Sequence, residues 1–242
     1  YQPILLDRVE NAIDELRCFS ETSETLFVVG APIRKDGKIY NCAVAFLGGE
    51  ILGVVPKSFI PNYNEFYERR QFSPAPDENS AVILSGKEIP FGKNLIFENE
   101  NFKDEKIAAE ICEDLWSVVR PSSRLSLQGA DVIFNLSASN ALTGKHAYVR
   151  ELVAQQSARC LCGYVYASCG FGESTTDVVF ASNALIYENG TPLAFAERFS
   201  AEAQLVSAEI DVERLRAERL INTTFRADSA YETADPYELI ES

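Results

Sequence analysis

Two side chains stand where chemistry could be done. The stretch KIAAEICEDLW, residues 106–116, is a mostly apolar run that climbs to Cys112 and then meets Glu113, Asp114 and the chain's single tryptophan. A thiol at a strand end, opening a turn into a helix, gains backbone N–H groups able to hold an oxyanion, and a helix dipole there lowers the thiol pKa. A buried structural cysteine is the commoner reading of such a residue. Lys57 ends a second apolar run, GEILGVVPK, just after a proline. An ammonium at a strand end facing an enclosed site can sit beside a thiolate and stabilise an oxyanion, although a solvated lysine is commoner there. The loop that follows brings Tyr63, Phe66 and Glu68, types suited to lining a small-molecule pocket. Histidine is the usual base for a thiol. The one histidine, His146, falls at a helix start and reads as a surface or cap residue. Partners for Cys112 are therefore sought among Lys and Glu. Strand alternation points Glu110 to the face of Cys112, displaced along the strand, and points Glu113 away.

The elements that must hold these residues follow from periodicity. Residues 4–17 have helical spacing of apolar positions, and TLFVVGAP (25–32), a short apolar run ended by Gly and Pro, reads as a buried strand. Residues 38–59 read as strand, Gly-Gly turn, strand. Residues 61–80 are a polar, aromatic and Pro-rich loop with a possible helical turn, and long ordered loops are often functional. After the strand into Cys112 come a helix (120–130), a strand (131–139), a helix (145–161) and a strand (163–169). Residues 178–199 alternate through an Asn-Gly turn, a hairpin signal. Residues 203–212 read as a strand and 212–221 as a helix. The acidic, weakly apolar tail 226–242 reads as a linker or docking arm. Helices between strands in one part and hairpins in others give a mixed α/β domain over residues 1–225, its sheets covered by helices.

Composition narrows the function classes. Of 242 residues, 46% are apolar and 24% charged, the balance of a soluble globular chain with a sizeable core. A net charge of −14 argues against a nucleic-acid surface, which needs clustered Lys and Arg. No apolar run is long enough for a membrane span, and no signal-peptide pattern opens the chain. The cysteines, Cys18, Cys42, Cys112, Cys160, Cys162 and Cys169, mostly lie in apolar runs, which suits free thiols in a reducing cytoplasm. The spacing of Cys160 and Cys162 is too tight for zinc, and no metal site is expected. The Gly-x-Gly-x-x-Gly and Walker-type phosphate loops are absent. The chain starts at Tyr1 and has no methionine, so it reads as a fragment.

Several stretches together carry a resemblance. GVVPKSFIPNYNEFYERRQF, AAEICEDLW and VIFNLSASN resemble the nitrilase, or carbon–nitrogen hydrolase, superfamily. FYERRQF, ICEDLW, SARCLCGYVYASCGFGESTTD and LIYENGTPLAFAERF resemble, more narrowly, the glutaminase domains of glutamine-dependent NAD synthetases. The resemblance runs in order over nearly the whole chain. It implies a four-layer αββα sandwich. It implies that Cys112 attacks the side-chain amide of glutamine to form a thioester, with ammonia released and glutamate freed by water. Lys57 would stabilise the tetrahedral intermediate, and Glu68 would orient lysine and substrate. Tyr63, Phe66, Glu113 and Ser139 would fall in the glutamine pocket. No cofactor is implied for this domain. A C-terminal synthetase domain, using ATP and magnesium to amidate nicotinic acid adenine dinucleotide, would receive the ammonia, and a homodimer or larger homo-oligomer is implied.

Two parts of the family pattern are not in these residues: the synthetase domain, and the segment of type Pro-Glu-Leu-x-Leu-x-Gly-Tyr that supplies a first core strand and the general-base glutamate. The isolated chain is therefore expected to be nearly inactive. A free-standing amidase or nitrilase is the rival of the same class, and a non-catalytic assembly domain the rival of another.

Overall fold

The computed structural model describes residues 3–99, 105–231 and 237–241. Two sheets stack face to face. The smaller contains β1 (Phe27–Lys35), β2 (Lys38–Leu47), β3 (Glu50–Pro56), β4 (Ser80–Leu84) and β5 (Lys87–Phe91), in the order β1-β2-β3-β5-β4. The larger contains β6 (Leu95–Asn99), β7 (Glu105–Ile111), β8 (Val132–Ser137), β9 (Gly163–Ser168), β10 (Ala184–Glu188), β11 (Thr191–Phe195) and β12 (Glu238–Glu241), in the order β11-β10-β9-β8-β7-β6-β12.

Three apolar clusters define the layers. Helix α1 (Pro3–Ser20) lays Ile13 and Val9 on the outer face of the small sheet, against Cys42, Val44 and Phe46 of β2. The opposite face of β2 presents Ala43 and Ala45, which meet Leu95, Phe97, Ala109 and Ile111 between the sheets. Small residues at that interface let the sheets approach. A Cβ on Gly53 of β3 would lie 2.9 Å from the Phe97 ring. Helices α2 (Pro121–Leu127) and α3 (Lys145–Cys160) cover the outer face of the large sheet through Leu125, Val149 and Val153. The order of layers is helix, sheet, sheet, helix, the αββα sandwich that the resemblance implied.

Strands β7, β8 and β9 run parallel and side by side, with Ile111 opposite Leu136 and Ser137 opposite Ser168. Their carboxyl ends therefore open at one place, where parallel α/β sheets commonly bind ligands.

The structure departs from the sequence reading at several elements. β1 does not end at the Gly-Ala-Pro stretch but runs on through Gly30 and Pro32 to Lys35. It is an edge strand, so the missing N–H of Pro32 costs no ladder bond. Residues 203–211 are not a strand. Leu205 is 96% exposed, and among the described residues no strand pairs with the segment before Asp211, whose side chain caps α4 (Val212–Ile221) by accepting from the Arg214 N–H at 2.9 Å. Part of the acidic tail is regular: α5 (Thr223–Tyr231) follows α4, and β12 pairs in parallel with β6. Leu239 packs on the helix side of the large sheet and Ile240 between the sheets.

Asp131, 1% exposed, ties α4 to the large sheet. Its carboxylate accepts from the Lys106 N–H at 3.0 Å and from Arg216 at 2.6 Å, and it lies 3.5 Å from the guanidinium of the buried Arg219. Asp131→Ala is expected to cost about 3 kcal/mol, because it leaves a buried guanidinium without its counter-charge. Chemical denaturation checks this, and a loss under about 1 kcal/mol would show that the carbonyl groups bonded to Arg219 suffice.

Candidate active site

Strand β7 ends at Ile111, and Cys112 turns out of it with φ +47°. That left-handed conformation costs a non-glycine residue on the order of 1 kcal/mol. It also breaks the strand alternation. The sulfur turns into the space between the sheets, where Cys112 packs beside Ile111, while Glu110 faces the helix layer. The sequence reading placed Glu110 on the face of Cys112; the turn is why that fails. Glu110 is buried, accepts from the Ser122 N–H at 2.8 Å and from the Tyr164 hydroxyl, and lines no cavity with Cys112.

A cavity of about 420 Å³ opens between the sheets, with Cys112, Lys57 and Glu68 in its wall, together with Ser137, Ala138 and Glu173. Lys57 follows β3 and is 1% exposed, which is not the solvated strand-end lysine. Its Nζ donates to both Glu68 oxygens, at 2.8 and 3.0 Å. Glu68 opens the single helical turn of the long loop, Glu68–Arg70. The loop returns a carboxylate to the lysine eleven residues earlier, a charge-assisted pair in the cavity wall.

Burial pushes the Cys112 thiol above its ordinary value of 9.0. The Lys57 ammonium and the Ala138 N–H pull it back, and the Glu68 carboxylate pushes with burial. The sequence reading expected a lowered thiol. A helix dipole does little here, because the element after Ile111 is one short turn, Cys112–Trp116. The resting group is therefore a neutral thiol at neutral pH, and attack needs a proton acceptor. Alkylation of Cys112 is expected to keep accelerating as pH rises past about 9. A plateau below about pH 8 in peptide-resolved iodoacetamide labelling would contradict this.

The other residues named from the sequence form a second group. The Tyr63 hydroxyl donates to Glu113 at 2.6 Å, and its ring meets Phe66 edge-on at 6.1 Å. None of the three lines the inter-sheet cavity. The Cys112 sulfur is still near enough to help raise the Tyr63 pKa, after burial and the Glu113 bond. Ser139 is buried, two residues beyond the end of β8, and favours the anion of the buried Tyr166. His146 does not line the cavity, and it is half-buried near the start of α3 rather than on the surface as the sequence suggested.

The sequence reading missed Lys145 and Asp114 as site residues. Lys145, the first residue of α3, has its Nζ 5.3 Å from the Trp116 ring centre and 5.8 Å from that of Phe66, and donates to Asn140 at 2.5 Å. Burial lowers its pKa, against the pull of Cys112, Glu65 and Glu113. It thus brings a positive charge to the group that holds Glu113 and Glu65. Asp114 is buried behind the Cys112 turn. Among the described residues no group of three or more His, Cys, Asp or Glu side chains is placed to hold a metal ion. Among the described residues, no helix is long and apolar enough to cross a membrane.

A cysteine at the end of a central strand shares a cavity wall with a buried lysine and its glutamate inside an αββα sandwich, the arrangement of a nitrilase-type fold. The carbon-nitrogen hydrolase family model matches residues 9–219, and the chain belongs to that family. The chain is 43% identical over 224 residues to the glutamine-dependent NAD(+) synthetase of Mycobacterium tuberculosis, a match covering 93% of this chain and 33% of that protein. The protein of that name from Mycobacterium leprae is 40% identical over 99% of this chain and 36% of its own length. The crystal structure of a glutamine-dependent NAD(+) synthetase from Cytophaga hutchinsonii superposes with a TM-score of 0.71 at 27% identity, over 82% of this chain and 32% of that one. The chain thus spans about a third of the length of these relatives.

Proposed function

We propose that this chain hydrolyses the side-chain amide of L-glutamine through a Cys112 thioester. It would supply ammonia to a synthetase domain that forms NAD in the longer protein, using ATP and magnesium. The observation that carries the reading is the shared cavity wall of Cys112 and the buried Lys57–Glu68 pair. The 43% identity to a protein named for glutamine-dependent NAD synthesis favours glutamine over a general amide, and hence this reading over a free-standing amidase or an assembly domain.

In the proposed reaction the Cys112 sulfur bonds to the carboxamide carbon of glutamine. The carbonyl oxygen becomes an oxyanion beside the Lys57 ammonium, which is worth most in a cavity that excludes water. The C–N bond breaks, the nitrogen takes the proton that the Cys112 thiol gave up and leaves as ammonia, and a thioester remains. Water then attacks the thioester carbon, and the C–S bond breaks to free glutamate and the thiol. Glu68 is committed to Lys57, so within this wall Glu173 is the carboxylate left to take the thiol proton.

Free glutamine is a zwitterion and needs one charge of each sign at its α end. Lys145 offers the cation for the carboxylate, and Glu113 with Tyr63 the acceptors for the ammonium. Lys145→Ala is expected to raise KM for glutamine by about 10- to 100-fold with kcat nearly unchanged, the loss of one charge-assisted bond made equally before and during reaction. The proposal itself is tested by incubating the chain with L-glutamine at alkaline pH and measuring glutamate and ammonia. Equal amounts of the two are expected. Hydrolysis of simple aliphatic amides with no preference for glutamine would overturn the substrate assignment.

A further inference from the structure

Lys57 and Cys112 lie 55 residues apart in sequence and on different sheets, so something must set one against the other. The backbone beside each is held by the same buried side chain. Asp114 is 2% exposed. Its Oδ2 accepts from the Ile111 N–H at 2.9 Å, closing the turn that carries Cys112 in its left-handed conformation. Its Oδ1 accepts from the N–H groups of Phe59 at 2.8 Å and Ser58 at 3.1 Å, the two residues that follow Lys57. These donors are backbone groups, so the carboxylate reports and fixes chain position rather than a mobile side chain. Asp114 lines no cavity with Cys112, and so has no route to substrate.

We infer that Asp114 is a positioning residue, clamping the chain just after Lys57 to the chain just before Cys112 so that ammonium and thiol share one cavity wall. The inference deepens the proposed hydrolase and rests on it for its catalytic meaning. A carboxylate suits the task for a physical reason. Its two oxygens accept in several directions at once, whereas an asparagine at the same place must turn an N–H₂ toward an N–H donor. Ser58 and Phe59 also begin the loop that leads to Tyr63, Phe66 and Glu68, so the clamp sets the base of that loop as well. The arrangement is held under load: burial and the neighbouring Glu110 carboxylate push the Asp114 pKa up to about 7, against the pull of its N–H donors and of Lys57.

The test reads Cys112 directly and needs no turnover. Iodoacetamide alkylation of Cys112, resolved by peptide mass spectrometry, is followed from about pH 6 to about pH 10 in the chain, in Asp114→Asn, in Asp114→Glu, in Lys57→Met and in the double variant Asp114→Asn/Lys57→Met. Asp114→Asn is expected to slow alkylation at pH 8 by about tenfold and to move the pH limb up by about one unit, because the thiol loses its ammonium neighbour. Adding Lys57→Met is expected to change the rate by less than about twofold more, the mark of two residues acting as one. Asp114→Glu should recover part of the rate. Additive effects of the two substitutions would overturn the inference, as would an unmoved pH limb. So would loss of the cooperative thermal transition in both Asp114 variants, which would make the residue structural only. If alkylation follows the expected pattern and glutamine still neither binds nor reacts, the clamp stands and the substrate reading fails.

Discussion

Assayed in the longer protein rather than in the nearly inactive isolated chain, Cys112→Ala is expected to remove glutamine hydrolysis, by a factor of about 10⁴ or more, and to leave the fold in place. The loss is large because the thioester has no other atom to form on. Of the two other cysteines that line the cavity, Cys42 packs on the α1 side of the small sheet, and Cys169 follows β9, two strands away. The fold survives because alanine keeps the backbone of the turn, and the bonds that hold the turn come from Asp114 and not from the sulfur. Glutamate formation measures the first claim and the thermal midpoint the second. Cys18→Ala, on the exposed end of α1, serves as the control that changes neither. Residual hydrolysis within about tenfold of the unmodified chain would mean that water is activated some other way and that the thioester is not on the path.

Lys57→Met carries the next largest effect, a fall in kcat of about 10²- to 10³-fold, the usual cost of removing one oxyanion partner from an enclosed site. Methionine keeps much of the stem that fills the buried channel. Two electrostatic losses follow. The developing oxyanion loses its ammonium. The resting thiol also loses the charge that pulls its pKa down while keeping Glu68, which pushes it up. The alkaline limb of the rate profile should therefore move to higher pH as well as lower amplitude. Glu68→Gln separates the two contributions. It loosens the lysine but removes the opposing charge, so its fall in kcat is expected to be smaller, about tenfold. A Lys57→Met chain with an unmoved pH limb would place the ammonium too far from the sulfur to matter.

Much of this site was legible because it sits where apolar runs stop. Cys112 and Lys57 each end such a run, and the structure brings both to the inter-sheet cavity with Glu68. The layers were legible too, since helical spacing at 145–160 and the apolar strands around it match α3, β8 and β9. What was not legible depends on partners far along the chain. Asp114 reads as one acid in a charged turn, and its part emerges only because Ser58 and Phe59 arrive from 55 or more residues away. Lys145 reads as a helix-start lysine until Phe66 and Trp116 fold against it. The face of Glu110 was misread because alternation holds only while the strand lasts, and Cys112 leaves it with a positive φ. Residues 203–211 carry an apolar pattern that no strand answers, and β12 is four residues whose pairing with β6 no local signal announces. The strands β4 and β5 went unread, although Ser85 and Gly86, both with positive φ, form a recognisable hairpin turn between them.

The central claim is that Cys112 is the nucleophile of a glutamine site. A diazoketone analogue of L-glutamine, which alkylates a thiol held against the amide position, tests it most directly when followed by peptide mass mapping. The expected result is an adduct on Cys112, suppressed by L-glutamine and not by D-glutamine. An adduct shared among Cys18, Cys169 and Cys112, or one on Cys112 that L-glutamine leaves unchanged, contradicts the claim.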